Sequence, residues 1–147
     1  MLLICGTIPQ ENPALIQGEA IFDDGRLFVQ GREIACTQGT AALVSAASMT
    51  ARQLGDKNPH VVLAGDTGGG KGSRLLYDDL IDHLVEKSPD VLLMHYILPV
   101  MGLMRKVYAS ASRCPKMPVM LADASSMYAA KAAGLAPKFD VFTPDAC

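Results

Sequence analysis

His60-Val61-Val62-Leu63-Ala64-Gly65-Asp66-Thr67-Gly68-Gly69-Gly70-Lys71-Gly72-Ser73 is followed by Arg74-Leu75-Leu76-Tyr77-Asp78-Asp79-Leu80-Ile81-Asp82-His83-Leu84-Val85-Glu86. The run His60–Ala64 is almost continuously apolar, as expected of a strand covered on both faces of a parallel sheet. Beyond the glycines, Leu75, Leu76, Leu80, Ile81, Leu84 and Val85 recur at helical spacing, with acidic side chains mostly between them. A buried strand, a tight glycine turn and an amphipathic helix make half of a βαβ unit.

Working outward, Ser88-Pro89 breaks that helix, and Asp90–His95 reads as the next buried strand. Gly102–Ser112 is expected to be helical, Pro118–Leu121 a strand, Ser125–Ala133 a helix closed by Gly134, and Phe139–Phe142 a last strand. Upstream, Thr40–Leu54 is Ala-rich and apolar almost all round, which predicts a buried helix ending at Gly55. Before it, Asp24-Gly25 and Gln30-Gly31 sit between β-prone runs as hairpin turns. Leu2–Cys5 is expected to be a first strand stopping at Gly6, with loop as far as Gly18. Alternating strands and helices with short loops predict an α/β domain: a three-layer α/β/α, Rossmann-like arrangement on a mostly parallel sheet, with a small N-terminal β-ribbon.

The 147 residues fit one domain, and 50% hydrophobic residues with a net charge of -2 leave no basic excess for nucleic acid. The longest apolar stretch, Val91–Met104, is interrupted by His95 and Pro99. It falls short of the ~20 residues that cross a bilayer, so no membrane partner is expected. Cys5, Cys36, Cys114 and Cys147 are scattered without metal-ligand spacing. A reduced, cytoplasmic protein is the simpler account, with Cys5 and Cys36 as small core residues. The chain stops at Thr143-Pro144-Asp145-Ala146-Cys147, directly after an apolar strand, so residues 1–147 are expected to be the N-terminal portion of something longer. An open sheet edge would also allow a homo-oligomer.

The glycine loop carries the clearest chemical signal. Gly68, Gly69, Gly70 and Gly72, four glycines within five positions, let several main-chain amides converge, and the helix starting near Ser73 adds its positive end, so an anion is the expected guest. Lys71 offers a point charge, Ser73 a cap or a metal-bound phosphate contact, and Asp66 a ligand for a hydroxyl or magnesium or an acceptor for loop amides. The spacing Gly65-x4-Gly70-Lys71 fits the start of a P-loop, but Gly72 stands where Ser or Thr is required. Gly-Lys-Gly-Ser is similar to the variant of adenylate-kinase-like phosphotransferases. The plainer reading is a tight strand-to-helix turn.

Taken in order, several short motifs resemble the N-terminal part of a ribokinase-like protein, most closely the carbohydrate-kinase-related branch that includes the NAD(P)H-hydrate dehydratases. These are Gly39-Thr40-Ala41-Ala42 at a helix start, Gly65-Asp66-x-Gly68-x-Gly70-x-Gly72-Ser73, Leu121-Ala122-Asp123-Ala124 at a strand end, and Phe142-Thr143-Pro144-Asp145. The resemblance implies a Rossmann-like sheet, ATP or ADP with magnesium, and a small-molecule kinase or dehydratase activity. It also implies that the catalytic aspartate belongs to a later Gly-Thr-Gly-Asp-type motif, which this sequence lacks. On this reading Gly65, Asp66, Gly68, Gly70, Lys71, Gly72 and Ser73 face the cofactor, and Lys71 occupies a tolerant position. Gly39, Thr40, His95, Asp123, Thr143 and Asp145 face the substrate, with Asp123 the magnesium ligand.

His95 reads as an acid/base group or as a hydrogen-bonded structural histidine. Asp123 and Asp145 lie just past strand ends, where open α/β sheets place ligands. Met94, Met101, Met104, Met117 and Met120 read as core filling. No Ser-His-Asp or Cys-His arrangement can be assigned from spacing. A third possibility is a non-catalytic domain binding a phosphorylated metabolite through the glycine loop.

Overall fold

A computed structural model of the chain describes residues 1–144. Eight strands form one sheet in the order β4-β3-β2-β5-β1-β6-β7-β8. They are β1 (Leu2–Ile8), β2 (Leu15–Asp23), β3 (Arg26–Val29), β4 (Arg32–Ile34), β5 (His60–Gly65), β6 (Val91–His95), β7 (Val119–Asp123) and β8 (Val141–Thr143). The five strands β5, β1, β6, β7 and β8 run parallel, and β2 joins β5 antiparallel to start the ribbon β2–β3–β4. Both ribbon turns use left-handed pairs, Asp24 with Gly25 and Gln30 with Gly31, as the twist of a hairpin requires.

The helices divide between the two faces. α1 (Gly39–Leu54) packs on Ile4, Ile8, Ile16, Ala20, Leu27, Val61 and Leu63. On the other face, α2 (Lys71–Lys87), α3 (Met101–Ala111) and α4 (Ser125–Ala132) enclose Leu3, Cys5, Val62, Ala64, Leu92, Met94 and Met120. Each fully buried aliphatic side chain contributes roughly 1.5–3 kcal/mol of transfer free energy, so alternate residues of the central strands tie down both helical layers. The α/β/α architecture with its N-terminal ribbon is therefore the one expected.

Three local expectations differ. β1 runs through Gly6 to Ile8, and β2 begins at Leu15, because both find hydrogen-bonding partners along β5. α1 is buried on one face only: Thr40, Ala41, Val44, Ser45 and Ser48 are covered, whereas Met49 and Leu54 are exposed. Its small residues fit a helix lying close on the sheet rather than one enclosed all round. Cys5 is buried as expected, but Cys36 is only half-buried in the segment after β4. No helix among the described residues is long and apolar enough to cross a membrane.

Candidate functional site

The β5–α2 loop is built around one side chain. Asp66 Oδ1 accepts the amides of Gly68 (3.0 Å) and Gly70 (2.9 Å), and Asp66 Oδ2 accepts the amide (2.9 Å) and hydroxyl (3.0 Å) of Ser73. The four acceptor positions of a carboxylate are thereby filled. Burial by itself would raise the Asp66 pKa, but the amides of Ser73 and Gly70, the Ser73 hydroxyl and the Gly68 amide hold it below its ordinary value. The glycines have local reasons. A Cβ on Gly65 would strike the carbonyl of Asn12, and one on Gly72 the carbonyl of Gly65, while Gly68 and Gly70 adopt left-handed φ.

Of the amides expected to form a cup for phosphate, those of Gly68, Gly70 and Ser73 hold the chain's own carboxylate, and Asp66 takes the loop-bonding role that the sequence also allowed it. Lys71 is exposed in the first turn of α2. The plainer reading of a tight strand-to-helix turn describes the loop, with Asp66 serving as a remote cap for α2, whose own N-cap residue Gly70 has no side chain to do so. Ser73 Oγ also accepts the amide of Leu98 at 3.1 Å, which ties the loop to the segment after β6.

A second cluster forms one row further along the sheet. Gly6, His95 and Asp123 stand side by side at the carboxyl ends of β1, β6 and β7, with Thr143 of β8 next to Asp123. The α1 helix brings Thr40 onto this row, and its hydroxyl lies 2.8 Å from His95 Nδ1. Gly6 makes the approach possible: a Cβ there would lie 2.6 Å from the Thr40 methyl and 2.5 Å from the His95 carbonyl oxygen. His95 Nε2 lies 3.4 Å from Asp123 Oδ2, and Asp123 Oδ1 accepts the Ala124 amide at 2.7 Å. Burial lowers the His95 pKa, partly offset by the Asp123 charge, so the imidazole is neutral near pH 7. A neutral ring that accepts from Thr40 at Nδ1 turns its Nε2–H toward Asp123.

Beside this row opens a cleft of about 320 Å³ lined by Thr7, Ile8, Pro9, Gln38, Gly39, Thr40, Asp66 and Tyr96. It sits at the carboxyl ends of β5, β1 and β6, where α1 leaves for one face of the sheet and α2 for the other, the place where doubly wound sheets bind ligands. The backbone is unusual at Tyr96, which lines the cleft, and at Ala124, which follows Asp123. Tyr96 (φ +52°) and Ala124 (φ +51°) are non-glycine residues in left-handed backbone, and each such residue costs about 1–3 kcal/mol unless its surroundings enforce it. Those surroundings are visible: Thr7 Oγ1 donates to the Tyr96 carbonyl at 2.6 Å, Ser126 Oγ accepts the Ile97 amide, and Ser125 Oγ donates to the Ile97 carbonyl.

Of the residues expected to face a substrate, Gly39 and Thr40 line the cleft, His95 and Asp123 join Thr40 behind it, and Thr143 is exposed at the sheet edge. Asp145 lies outside the described residues. Asp123 is a single carboxylate beside a histidine, and no group of three or more His, Cys, Asp or Glu among the described residues is arranged to hold a metal ion. The magnesium assignment to Asp123 therefore lacks a ligand set here. Sequence reasoning missed Thr7, Gln38 and Tyr96. Tyr96 alone had a signal, being the residue directly after an apolar strand.

No family model matches the chain, and no solved structure matches it. An uncharacterized protein of Methanocaldococcus jannaschii is 36% identical over 103 residues, which is 70% of this chain and 40% of that protein. The chain thus spans about two fifths of the length of this relative.

Proposed function

We propose that this chain builds the substrate side of a cytoplasmic small-molecule enzyme of the ribokinase-like kind, a kinase or a hydrate dehydratase, with the Thr7–Tyr96 cleft as its substrate pocket. The observation that carries this reading is the Thr40–His95–Asp123 line behind the cleft at the switch point of the sheet. ATP or ADP with magnesium supplies the phosphoryl chemistry in enzymes of that kind. The described residues alone do not fit either group, because Asp66 takes three of the loop amides and no group of three or more His, Cys, Asp or Glu among the described residues is arranged to hold a metal ion.

What the chain's own residues do is narrower. The neutral His95 accepts the Thr40 hydroxyl proton in a hydrogen bond and aims its other nitrogen at Asp123, holding a polar path between the cleft wall and a partly exposed carboxylate. Thr40 and Gln38 present a hydroxyl and an amide, Asp66 adds a carboxylate, and no cationic side chain lines the pocket. That lining suits a hydrogen-bonding substrate without negative charge better than a free phosphate ester. Thermal-shift measurements with hydroxylated metabolites, with and without magnesium and ATP, test the assignment. Stabilisation that is lost in Thr40→Val and His95→Ala is the expected result. Stabilisation by inorganic phosphate or ATP that survives both substitutions but vanishes in Lys71→Ala would replace this reading with the P-loop one.

A further inference from the structure

The two faces of the sheet are covered unequally. On one side α2, α3 and α4 enclose Leu92, Met94 and Met120, whereas among the described residues α1 alone covers the other, lying over β1, β2 and β5. Side chains alternate along a strand, so the intervening residues point to the α1 side. They are Val91 and Leu93 of β6, Val119 and Leu121 of β7, and Val141 of β8, aligned in register as Val91–Val119 and Leu93–Leu121–Val141. Val119 and Val141 are 44% and 41% exposed, and the other three are half-buried. Parallel strands are ordinarily covered on both faces, and here three adjacent ones carry a contiguous aliphatic patch that meets its first charge at Asp123, at the carboxyl end.

The α1 helix has the matching surface. Arg52 is the one charged residue among its 16, and it turns toward the ribbon to meet Asp23 at 3.1 Å. On its outer side Ala46, Met49 and Leu54 are exposed, Met49 by 57%. A helix apolar almost all round belongs in a buried layer, but one chain buries only one of its faces. A bare sheet face and a half-covered apolar helix therefore lie next to each other on the same side of the molecule.

We propose that a second copy of this chain completes that layer: two protomers face each other about a two-fold axis parallel to α1, each laying the outer side of its α1 on the β6–β7–β8 face of its partner. The spacing permits it. Packed helices lie about 8–10 Å apart and paired strands about 4.8 Å, so a helix beside α1 falls about two strands further along the sheet, over β6 and β7. The α1 helix starts with Thr40 against Gly6 near the carboxyl end of β1, and its last turns line a groove with Met1, Leu2 and His60 at the amino ends of β1 and β5. It thus runs antiparallel to these strands, which sets Met49 of one protomer at the level of Val119 of the other. The contact is isologous and closed, and it uses faces rather than the open sheet edges at β4 and β8.

Sedimentation equilibrium of the whole chain, from micromolar to submillimolar concentration, tests it. Twice the chain mass of 15.6 kDa is expected, with a dissociation constant raised roughly tenfold or more by Met49→Glu and by Val119→Lys. Both side chains are exposed in a single copy, so each variant is expected to keep the circular dichroism of the wild type. Mixing the two variants is expected to restore association, since the mixed pair sets the introduced acid against the introduced base in one contact and leaves the reciprocal contact native. Ile21→Glu, at an exposed position on the other side of the ribbon, is expected to leave association unchanged. A monomer at every concentration overturns the proposal and assigns the bare face to a different partner. A dimer that both substitutions leave intact overturns it as well, and so does one that Met49→Glu dissociates while Val119→Lys does not, because the sheet face then takes no part.

Discussion

The β5–α2 loop and the rim formed by Thr40, His95, Tyr96 and Asp123 stand at the same end of the sheet and are opposites in how they use their polar groups. The loop turns inward: its amides, its hydroxyl and its carboxylate satisfy one another, and the glycines are explained by close backbone approach and left-handed turns. The rim borders a cleft through Thr40 and Tyr96, and it holds Tyr96 in left-handed backbone with Ala124 at positive φ directly after Asp123. A concentration of glycines is thus a statement about backbone crowding before it is one about a ligand. Strain that the local hydrogen bonds enforce but do not need is the better pointer to function.

The largest effect that separates the two regions lies in the loop's steric fit. In Gly72→Ala the new methyl meets the Gly65 carbonyl, and in Gly65→Ala it meets the Asn12 carbonyl, both of them backbone atoms that cannot rotate away. Destabilisation on the order of 3 kcal/mol or more is expected in chemical denaturation. Gly69→Ala, which meets nothing within 4 Å and lies outside left-handed φ, is expected to change stability by about 0.5 kcal/mol or less. Equal losses at all three positions would mean that the loop is not packed as described.

Next in size is Asp66→Ala, which strips one acceptor from three amides and a hydroxyl and leaves α2 without its cap. A loss of about 2 kcal/mol is expected, hence a fall in melting temperature of roughly 4–8 °C. The variant is also expected to gain stability from millimolar inorganic phosphate, an anion entering the vacated amides, whereas the wild type does not. Phosphate stabilising the wild type equally would restore the open cup. The acid limb carries the same information. Because the folded pKa of Asp66 lies below the ordinary 3.8, its contribution is complete above that value and is lost as pH falls through the folded one. That component of the acid loss should be missing in Asp66→Ala.

The layered fold was legible because it depends on patterns that survive without tertiary context: apolar runs for β5 and β6, helical periodicity for α2, and Asp24-Gly25 and Gln30-Gly31 for the ribbon turns. The errors have a common cause in long-range contact. Gly6 reads as a strand end until Thr40 is seen beside it, and Leu15 reads as loop until β5 provides its partner. The site divides the same way. Thr40, His95 and Asp123 were named separately by their places at element ends, but their meeting depends on the register that aligns β6 with β7 and on the approach of α1 over Gly6. Asp66 was read as a ligand-facing or loop-bonding group, and only the fold of residues 66–73 shows that its acceptors are exhausted.

The smallest of the expected losses, the Gly69→Ala control aside, is that of Thr40→Val, which touches the rim directly. The substitution keeps the shape under Gly6 but removes the partner of His95 Nδ1 in a site where His95 is only 5% exposed. An unpaired ring nitrogen there costs about 1–2 kcal/mol at neutral pH. The sign of the pH dependence follows from the depressed pKa of His95, whose burial outweighs the opposing Asp123 charge. The unfolded chain binds this proton more readily than the folded one, so the stabilising difference is complete above the ordinary value of 6.5 and declines as pH falls from there through the folded value. His95→Asn removes that slope, whereas Thr40→Val retains it or steepens it, since the hydroxyl that would accept a proton from a charged imidazole is gone. Urea midpoints measured from pH 7.5 downward read both effects. A slope that persists unchanged in His95→Asn would assign it to other groups and reduce the Thr40–His95 contact to packing alone.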